Sequence, residues 1–296
     1  MRADRRAMAG VALAAALALG CGLRLFLHME PRQLGPTAWA YLGGGGNSLV
    51  VVHGTEAFAA DVKLGDWAMR ERRMVQEELR RNVKRILVTS SHLDHWEGVT
   101  LYPDAGALLA HPRTRDRITG WLRQRRLPGI HGWLAVRSEV RLMLGEQEAW
   151  IRWLGVGNTD GDLTAFIPEL DLVVTGDLFC QGYEPAADAS AGGRLLGLRR
   201  ALDAMLEYDF ESVLPGHGPM ARRADVAAAR DYLAAMESAL REAVGRGLAE
   251  EAAVEAGEAA LRAFPRLEPL PAGPDRRENL RAMYRELTQA DKSAAP

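Results

Sequence analysis

Three times in this chain a short β-branched or apolar run stops abruptly at residues able to bind a cation or move a proton. Arg85-Ile86-Leu87-Val88-Thr89 runs into Ser90-Ser91-His92-Leu93-Asp94-His95-Trp96-Glu97-Gly98. Leu172-Val173-Val174-Thr175 runs into Gly176-Asp177, and Ser212-Val213-Leu214 into Pro215-Gly216-His217-Gly218-Pro219. Runs of this length and composition read as buried strands. A chain that repeatedly releases polar residues where a buried strand ends must gather them at an edge of a sheet. A fourth segment, Gly157-Asn158-Thr159-Asp160-Gly161-Asp162, follows the strand-like run Ala149 to Val156 in the same way.

The intervening sequence fills in the layers. Trp39 to Leu42, a turn at Gly43 to Gly46, Asn47 to His53 and Ala59 to Leu64 read as an opening meander. Asp66 can cap a helix reaching about Asn82. Ala107 to Ala110 reads as a strand, Arg113 to Arg126 as a helix, and Leu134 to Arg137, Val140 to Leu144 and Leu163 to Ile167 as further strands. Leu195 to Glu207 is a helical pattern, Ala224 to Phe264 an Ala- and Glu-rich helical stretch, and Asp275 to Thr288 a final amphipathic helix. Strands and helices alternate in two halves, which calls for a layered α/β architecture with helices outside.

Composition narrows the chemistry. With 48% hydrophobic and 26% charged residues the chain buries a real core, which excludes global disorder. Thirty-seven Lys and Arg against 39 Asp and Glu leave a net charge of −2, so no nucleic-acid partner is expected. The basic run Arg113, Arg115, Arg117, Arg123, Arg125 and Arg126 reads as a solvated helix face. The two cysteines, Cys21 and Cys180, form no CxxC pair, so a metal site must use His and carboxylates; Cys180 reads as a buried, inert thiol. His53 and His111 read as structural, and His131 lies in a Gly-rich loop. Of the tryptophans, Trp96, beside His95, is the one singled out for a substrate groove.

The amino terminus is a different kind of sequence. Arg2, Arg5 and Arg6 precede Met8 to Leu23, an uncharged Ala/Leu-rich run with no polar face, which has the layout of an export signal. Leu17-Ala18-Leu19-Gly20-Cys21 is similar to a bacterial lipoprotein cleavage box, with Ala18 where Leu is preferred, and Leu25-Phe26-Leu27 extends the apolar stretch enough for an uncleaved anchor. The expected organisation is a signal peptide or membrane anchor over 1–29, a Pro-containing linker over 30–38, a catalytic-type domain over 39–222 and a helical extension over 223–296. The expected location is the cell envelope, with membrane contact through the amino-terminal segment.

Order, spacing and flanks of the four polar segments resemble the metallo-β-lactamase-fold hydrolases, over roughly Trp39 to Pro219. Their conjunction is far more specific than any one motif. The resemblance implies a four-layered αββα sandwich with metal bound by loops at one edge of two facing sheets. In the HxHxDH pattern Ser90 stands at the first histidine, and His92, Asp94 and His95 at the remaining ligand positions. Asn158 stands where the family's next histidine belongs, although Thr159-Asp160-Gly161-Asp162-Leu163 keeps a common family wording. One metal position therefore lacks two of its three imidazoles. The other keeps Asp94, His95 and His217, with Asp177 at the position that bridges two metals in dinuclear members.

Neutral Ser and Asn are weak zinc ligands, so a mononuclear site is expected. Zinc is the first choice, with manganese or iron as alternatives because carboxylates supply half of the ligands. The expected activity is hydrolysis of a small ester-, lactone-, thioester- or phosphoester-like substrate. Asp94 or Asp177 would handle the water's proton, His92 would act beside the metal or as a shuttle, and Asn158 would donate to a developing oxyanion. The alternative is a degenerate relative that binds a ligand or partner without turnover.

Overall fold

The computed structural model describes residues 28–294. The apolar segment Met8 to Leu23 and Cys21 lie outside the described residues. Within them, no helix is long and apolar enough to cross a membrane.

Two mixed sheets face one another. The first contains, in spatial order, β1 (Met29–Gly35), β2 (Ala38–Gly43), β3 (Ser48–His53), β4 (Glu56–Ala60), β5 (Asn82–Leu87), β6 (Ala107–Ala110) and β7 (Trp133–Ala135). The second runs β13 (Ala221–Arg222), β12 (Ser212–Pro215), β11 (Leu172–Gly176), β10 (Thr164–Ile167), β9 (Gln147–Arg152) and β8 (Glu139–Leu144). Helices α1 (Gly65–Arg73) and α2 (Pro112–Gln124) accompany the first sheet. Helices α3 (Leu195–Met205), α4 (Arg223–Gly245), α5 (Glu250–Ala260) and α6 (Arg276–Ala294) accompany the second.

Period-two sidedness builds these layers. Leu49 and Val51 of β3 pack with Ile151, Ile167 and Leu214 of the second sheet, in a core between the sheets. Val50, between them in sequence, points outward to a second core with Ile86, Trp96 and Ile118. On the other sheet Leu172 and Val174 face inward while Val173 joins Leu198, Leu202 and Met236 beneath the helices. Three cores between four layers make an αββα sandwich, and helices α4 to α6 complete its outer layer.

The linker expected over 30–38 is instead mostly strand. β1 pairs antiparallel with β2, from Met29 opposite Gly43 to Gly35 opposite Ala38, with an irregularity between Gln33 and Gly35. Pro31 is compatible with this because β1 is the sheet's edge, where a missing N–H need not break a ladder. The strand expected over Ala59 to Leu64 is β4, Glu56–Ala60, and stops before Asp61, whose backbone is left-handed at φ 59°. The helix expected to reach Asn82 passes from α1 into a single π-helical segment, Met74–Glu78, and Asn82 already belongs to β5. Leu64, not Asp66, is its N-cap. Trp96 is buried, with its indole N–H donating to Ser91 O, so it supports the core rather than a groove.

Candidate metal centre

Parallel pairing of β4 with β5 and of β11 with β12 brings the ends of these strands to the same margin of the sandwich. Beyond β5, Thr89 is anchored to Asp61 at the end of β4: its N–H and Oγ1 donate to the Asp61 carboxylate at 2.7 and 2.6 Å. The chain then tightens into a 3-10 turn at Leu93–His95, which buries His95 completely. His95 Nδ1 lies 2.7 Å from Asp61 Oδ2, so this carboxylate fixes the ring from behind. A histidine whose far nitrogen is held by a carboxylate presents its other nitrogen as an oriented, basic ligand.

The His217 loop is held by Asn47, just before β3. Asn47 N–H donates to Gly216 O at 2.7 Å, and its Nδ2 donates to Pro215 O and Gly218 O, each at 2.9 Å. Gly216 is required by crowding: a Cβ there would sit 2.6 Å from Asp177 Oδ1. Asp177 follows β11 and lies at the centre of the cluster. Its Oδ1 is 3.1 Å from His95 Nε2 and 3.4 Å from His217 Nε2, and Asp94 Oδ2 is 3.3 Å from His217 Nε2. Asp94, His95 and His217 offer ligand atoms that all lie within 4.8 Å of one another.

The electrostatics match a cation's place. Burial alone would disfavour the charge on His95, but Asp177, Asp61 and Asp94 around it push its pKa well above the ordinary histidine value. Burial would likewise raise Asp177, yet His95, His217 and His92 hold it well below the usual carboxylate range. Three carboxylates crowd the two buried imidazoles, an arrangement that a divalent ion would neutralise directly. Two imidazoles and a carboxylate with a second carboxylate adjacent form a suitable donor set for zinc, and the residues fit such an ion.

His92 stands apart from this set. Its Nδ1 lies 2.7 Å from Asp177 Oδ2 and its Nε2 3.3 Å from Asp188 Oδ2, so both nitrogens face carboxylates. Burial pulls its pKa down, but the bonds to Asp177 and Asp188 prevail and push it to about 10. Ser90 is fully buried and its Oγ accepts from His92 N–H at 3.4 Å. Asn158 is buried too: its Nδ2 donates to Ala186 O at 3.0 Å, while its Oδ1 has no partner. The loop carrying it is braced by Asp162, which accepts from the N–H and Oγ1 of Thr159. Cys180 Sγ is 3.9 Å from Asp177 Oδ1, and burial raises its thiol pKa well above normal.

Asp61 and Asp188, which contact His95 and His92, are two side chains of the candidate site that the motif reading missed. Asp61 had a faint signal, an acid directly after the apolar run Ala57-Phe58-Ala59-Ala60. Asp188, in an alanine-containing loop, had none. The remaining histidines are elsewhere: His53 Nε2 contacts Arg85, and His111 caps α2 and stacks on Trp153. Of the arginine run, Arg117 pairs with Asp160, Arg115 with Asp116, and Arg125 lies over Trp121.

The site opens into a cleft of about 620 Å³ lined by Asp94, Asp177, His92, His217, Asn158 and Asp188 and by apolar residues above them. Comparison with solved structures finds the same architecture in a metallo-beta-lactamase from Pontibacter korlensis, at 15% identity and a TM-score of 0.60, covering 70% of this chain and 99% of that one. The mono-zinc form of the metallo-beta-lactamase FIM-1 from Pseudomonas aeruginosa aligns at 20% identity and a TM-score of 0.57, over 70% of this chain and 95% of that one. DIM-1 metallo-beta-lactamase gives 16% and 0.59, over 70% and 97%. At such identities the likeness concerns the fold. A search of curated protein sequences finds no match. The family profile described as the metallo-beta-lactamase superfamily matches residues 41–217, from β2 through the histidine after β12. With the fold, the strand-end loops and this match in agreement, the chain belongs to the metallo-beta-lactamase superfamily.

Proposed function

We propose that the protein is a metal-dependent hydrolase working with one divalent ion, zinc first, held by Asp94, His95 and His217 with Asp177 beside them. The observation that carries this reading is the grouping of Asp94, His95 and His217 ligand atoms within 4.8 Å of one another, with Asp177 Oδ1 beside both imidazoles, next to an open cleft. When bound, zinc supplies Lewis acidity and makes a nucleophile available at neutral pH.

The chain's own groups then have separable tasks. Asp61 holds His95 in one orientation through Nδ1. Asp177 Oδ2 holds the His92 ring through Nδ1, so His92 can pass the Nε2 proton that faces Asp188 Oδ2 to a leaving group while the Nδ1 bond keeps the ring in place. Asn158 has one amide N–H committed to Ala186 O and its Oδ1 buried without a partner, which leaves the second N–H for the oxyanion-donor role. The single-ion reading is supported by the engagement of His92 with two carboxylates and by Ser90 and Asn158 in place of imidazoles. Those same replacements are what favours the second reading, a binding protein without turnover. Export to the envelope belongs to the proposal too, resting on the basic and apolar pattern of residues 1–29.

Elemental analysis of the purified full chain beside His217→Ala tests the reading. About one ion per chain, lost in the variant, is the expected result. Two ions would overturn the mononuclear assignment, and no ion after growth with zinc, manganese or iron would move the protein to the binding class.

A further inference from the structure

The cleft carries information about what it accepts. Its floor is ionic, but its walls are not: Leu64 and Leu93 stand on one side, and Ala186, Ala187, Leu270 and Pro271 line it as well. Leu93 is left exposed at the rim. Among the described residues lining the cleft there are three carboxylates, Asp94, Asp177 and Asp188, and no Lys or Arg. Lys63, the buried cation coupled electrostatically to Asp94, is turned away, its ammonium donating to the carbonyls of Tyr41 and Gly46. A divalent ion held by Asp94, His95 and His217 would already be offset by Asp94 and Asp177, and the His92 imidazole is held between Asp177 and Asp188.

The Leu270 wall is built, not loose. Pro269, Pro271 and Pro274 restrict its backbone. Glu184 N–H donates to Glu268 O at 2.8 Å, Gly273 N–H donates to Leu270 O at 2.8 Å, and Asn279 Nδ2 donates to Pro185 O at 2.7 Å. This segment lies beyond the family-matched region and adds an apolar surface to the same cleft that Asp94, Asp177 and His217 line.

Resting on the hydrolase reading above, we propose that the substrate is an uncharged carboxylic ester or lactone with an apolar acyl arm lying against Leu93 and Leu270, and not a phosphoester or a carboxylate-bearing compound. An anion would lose hydration on entry and meet no unpaired cation, whereas an alkyl arm would cover apolar wall. The reaction balances as a hydrolysis: water's oxygen bonds to the carbonyl carbon, the acyl C–O bond breaks, one water proton goes to the leaving oxygen, and an acid and an alcohol result.

The test compares kcat/KM of the zinc-supplied full chain on p-nitrophenyl acetate, p-nitrophenyl hexanoate, mono-p-nitrophenyl adipate and bis(p-nitrophenyl) phosphate. At about 0.8 kcal/mol per buried methylene, or roughly fourfold each, hexanoate should exceed acetate by at least about tenfold. It should exceed the carboxylate-ended adipate by about tenfold, with the phosphodiester lowest. Leu270→Asp should abolish the chain-length gain, and Leu270→Arg should raise turnover of the adipate ester selectively. Preference for the adipate ester or the phosphodiester would overturn the proposal, as would a flat chain-length series. If no ester is cleaved, the hydrolase reading fails by itself, and calorimetric binding of hexanamide against hexanoate decides the ligand class: tighter hexanamide upholds the uncharged, apolar ligand, and tighter hexanoate overturns it.

Discussion

Gly46→Ala should damage the metal centre without touching a ligand. Gly46 lies against the buried His95 ring, and a Cβ at this position would stand 2.8 Å from Cε1, 3.0 Å from Nε2 and 3.1 Å from Nδ1. Ordinary contact begins near 3.4 Å, so the ring or the glycine loop must yield by about 0.6 Å. The ring has little freedom: Nδ1 is held by Asp61 and Nε2 faces Asp177, and displacement disturbs one or both. The loop is also restrained, since Gly46 O accepts from the buried Lys63 ammonium. Overpacking of this kind costs about 1–3 kcal/mol, and misorienting a ligand histidine weakens metal affinity about 10- to 100-fold. The assay is zinc affinity by competition with a chromophoric chelator, alongside the thermal midpoint. Gly120→Ala is the control: it lies inside α2 with open space where the Cβ would go, and should stabilise by about 0.5–1 kcal/mol with zinc affinity unchanged. Wild-type zinc affinity in Gly46→Ala would refute the reasoning, because it would mean that the His95 ring is not confined as described.

Other perturbations probe the scaffold around the site. Lys63→Met should cost about 3 kcal/mol in urea denaturation, because it strips a charged donor from the buried carbonyls of Tyr41 and Gly46 and removes the positive charge that offsets buried Glu71. Adding Glu71→Gln should recover part of that loss. Glu184→Ala should cost about 3 kcal/mol by stripping the acceptor from Tyr232 Oη and Arg276 Nε, with the effect read as earlier exchange of amide protons in α6. In metal-free protein the His92 pairing predicts a pH dependence. The histidine pKa lies near 6.5 when unfolded and about 10 when folded, so the pairing stabilises fully below pH 6.5 and is lost as pH climbs through about 10. The difference in thermal midpoint between wild type and Asp188→Asn, measured in EDTA, should therefore narrow from pH 7 to pH 10; a constant difference would count against the pairing.

Much of this centre is legible without coordinates because a ligand placed where a buried strand ends has its position set locally. His95, Asp177 and His217 each follow within a few residues of such a run, and the run's composition announces the strand. Asp61 is harder: its value depends on the parallel pairing of β4 with β5, which puts it 2.7 Å from a ring 34 positions away in sequence. Asp188 depends on the path of an irregular loop, for which hydrophobic periodicity carries no signal. The same limit explains β1, where a proline-containing stretch becomes a strand because a neighbouring edge is open to receive it.

What the sequence by itself determined is the sidedness of its strands and the order of its strand-end loops. Alternation at Leu49, Val50 and Val51 already assigns two faces, since successive side chains in extended backbone must oppose one another. What only the tertiary structure decided is the company those loops keep. The choice of His92 for two carboxylates, the carboxylate behind His95 and the arrival of Leu270 over the cleft all result from closing the sandwich and docking the last helices on it. Such contacts join residues far apart in the chain, and their geometry follows from packing and register rather than from any local pattern of residues.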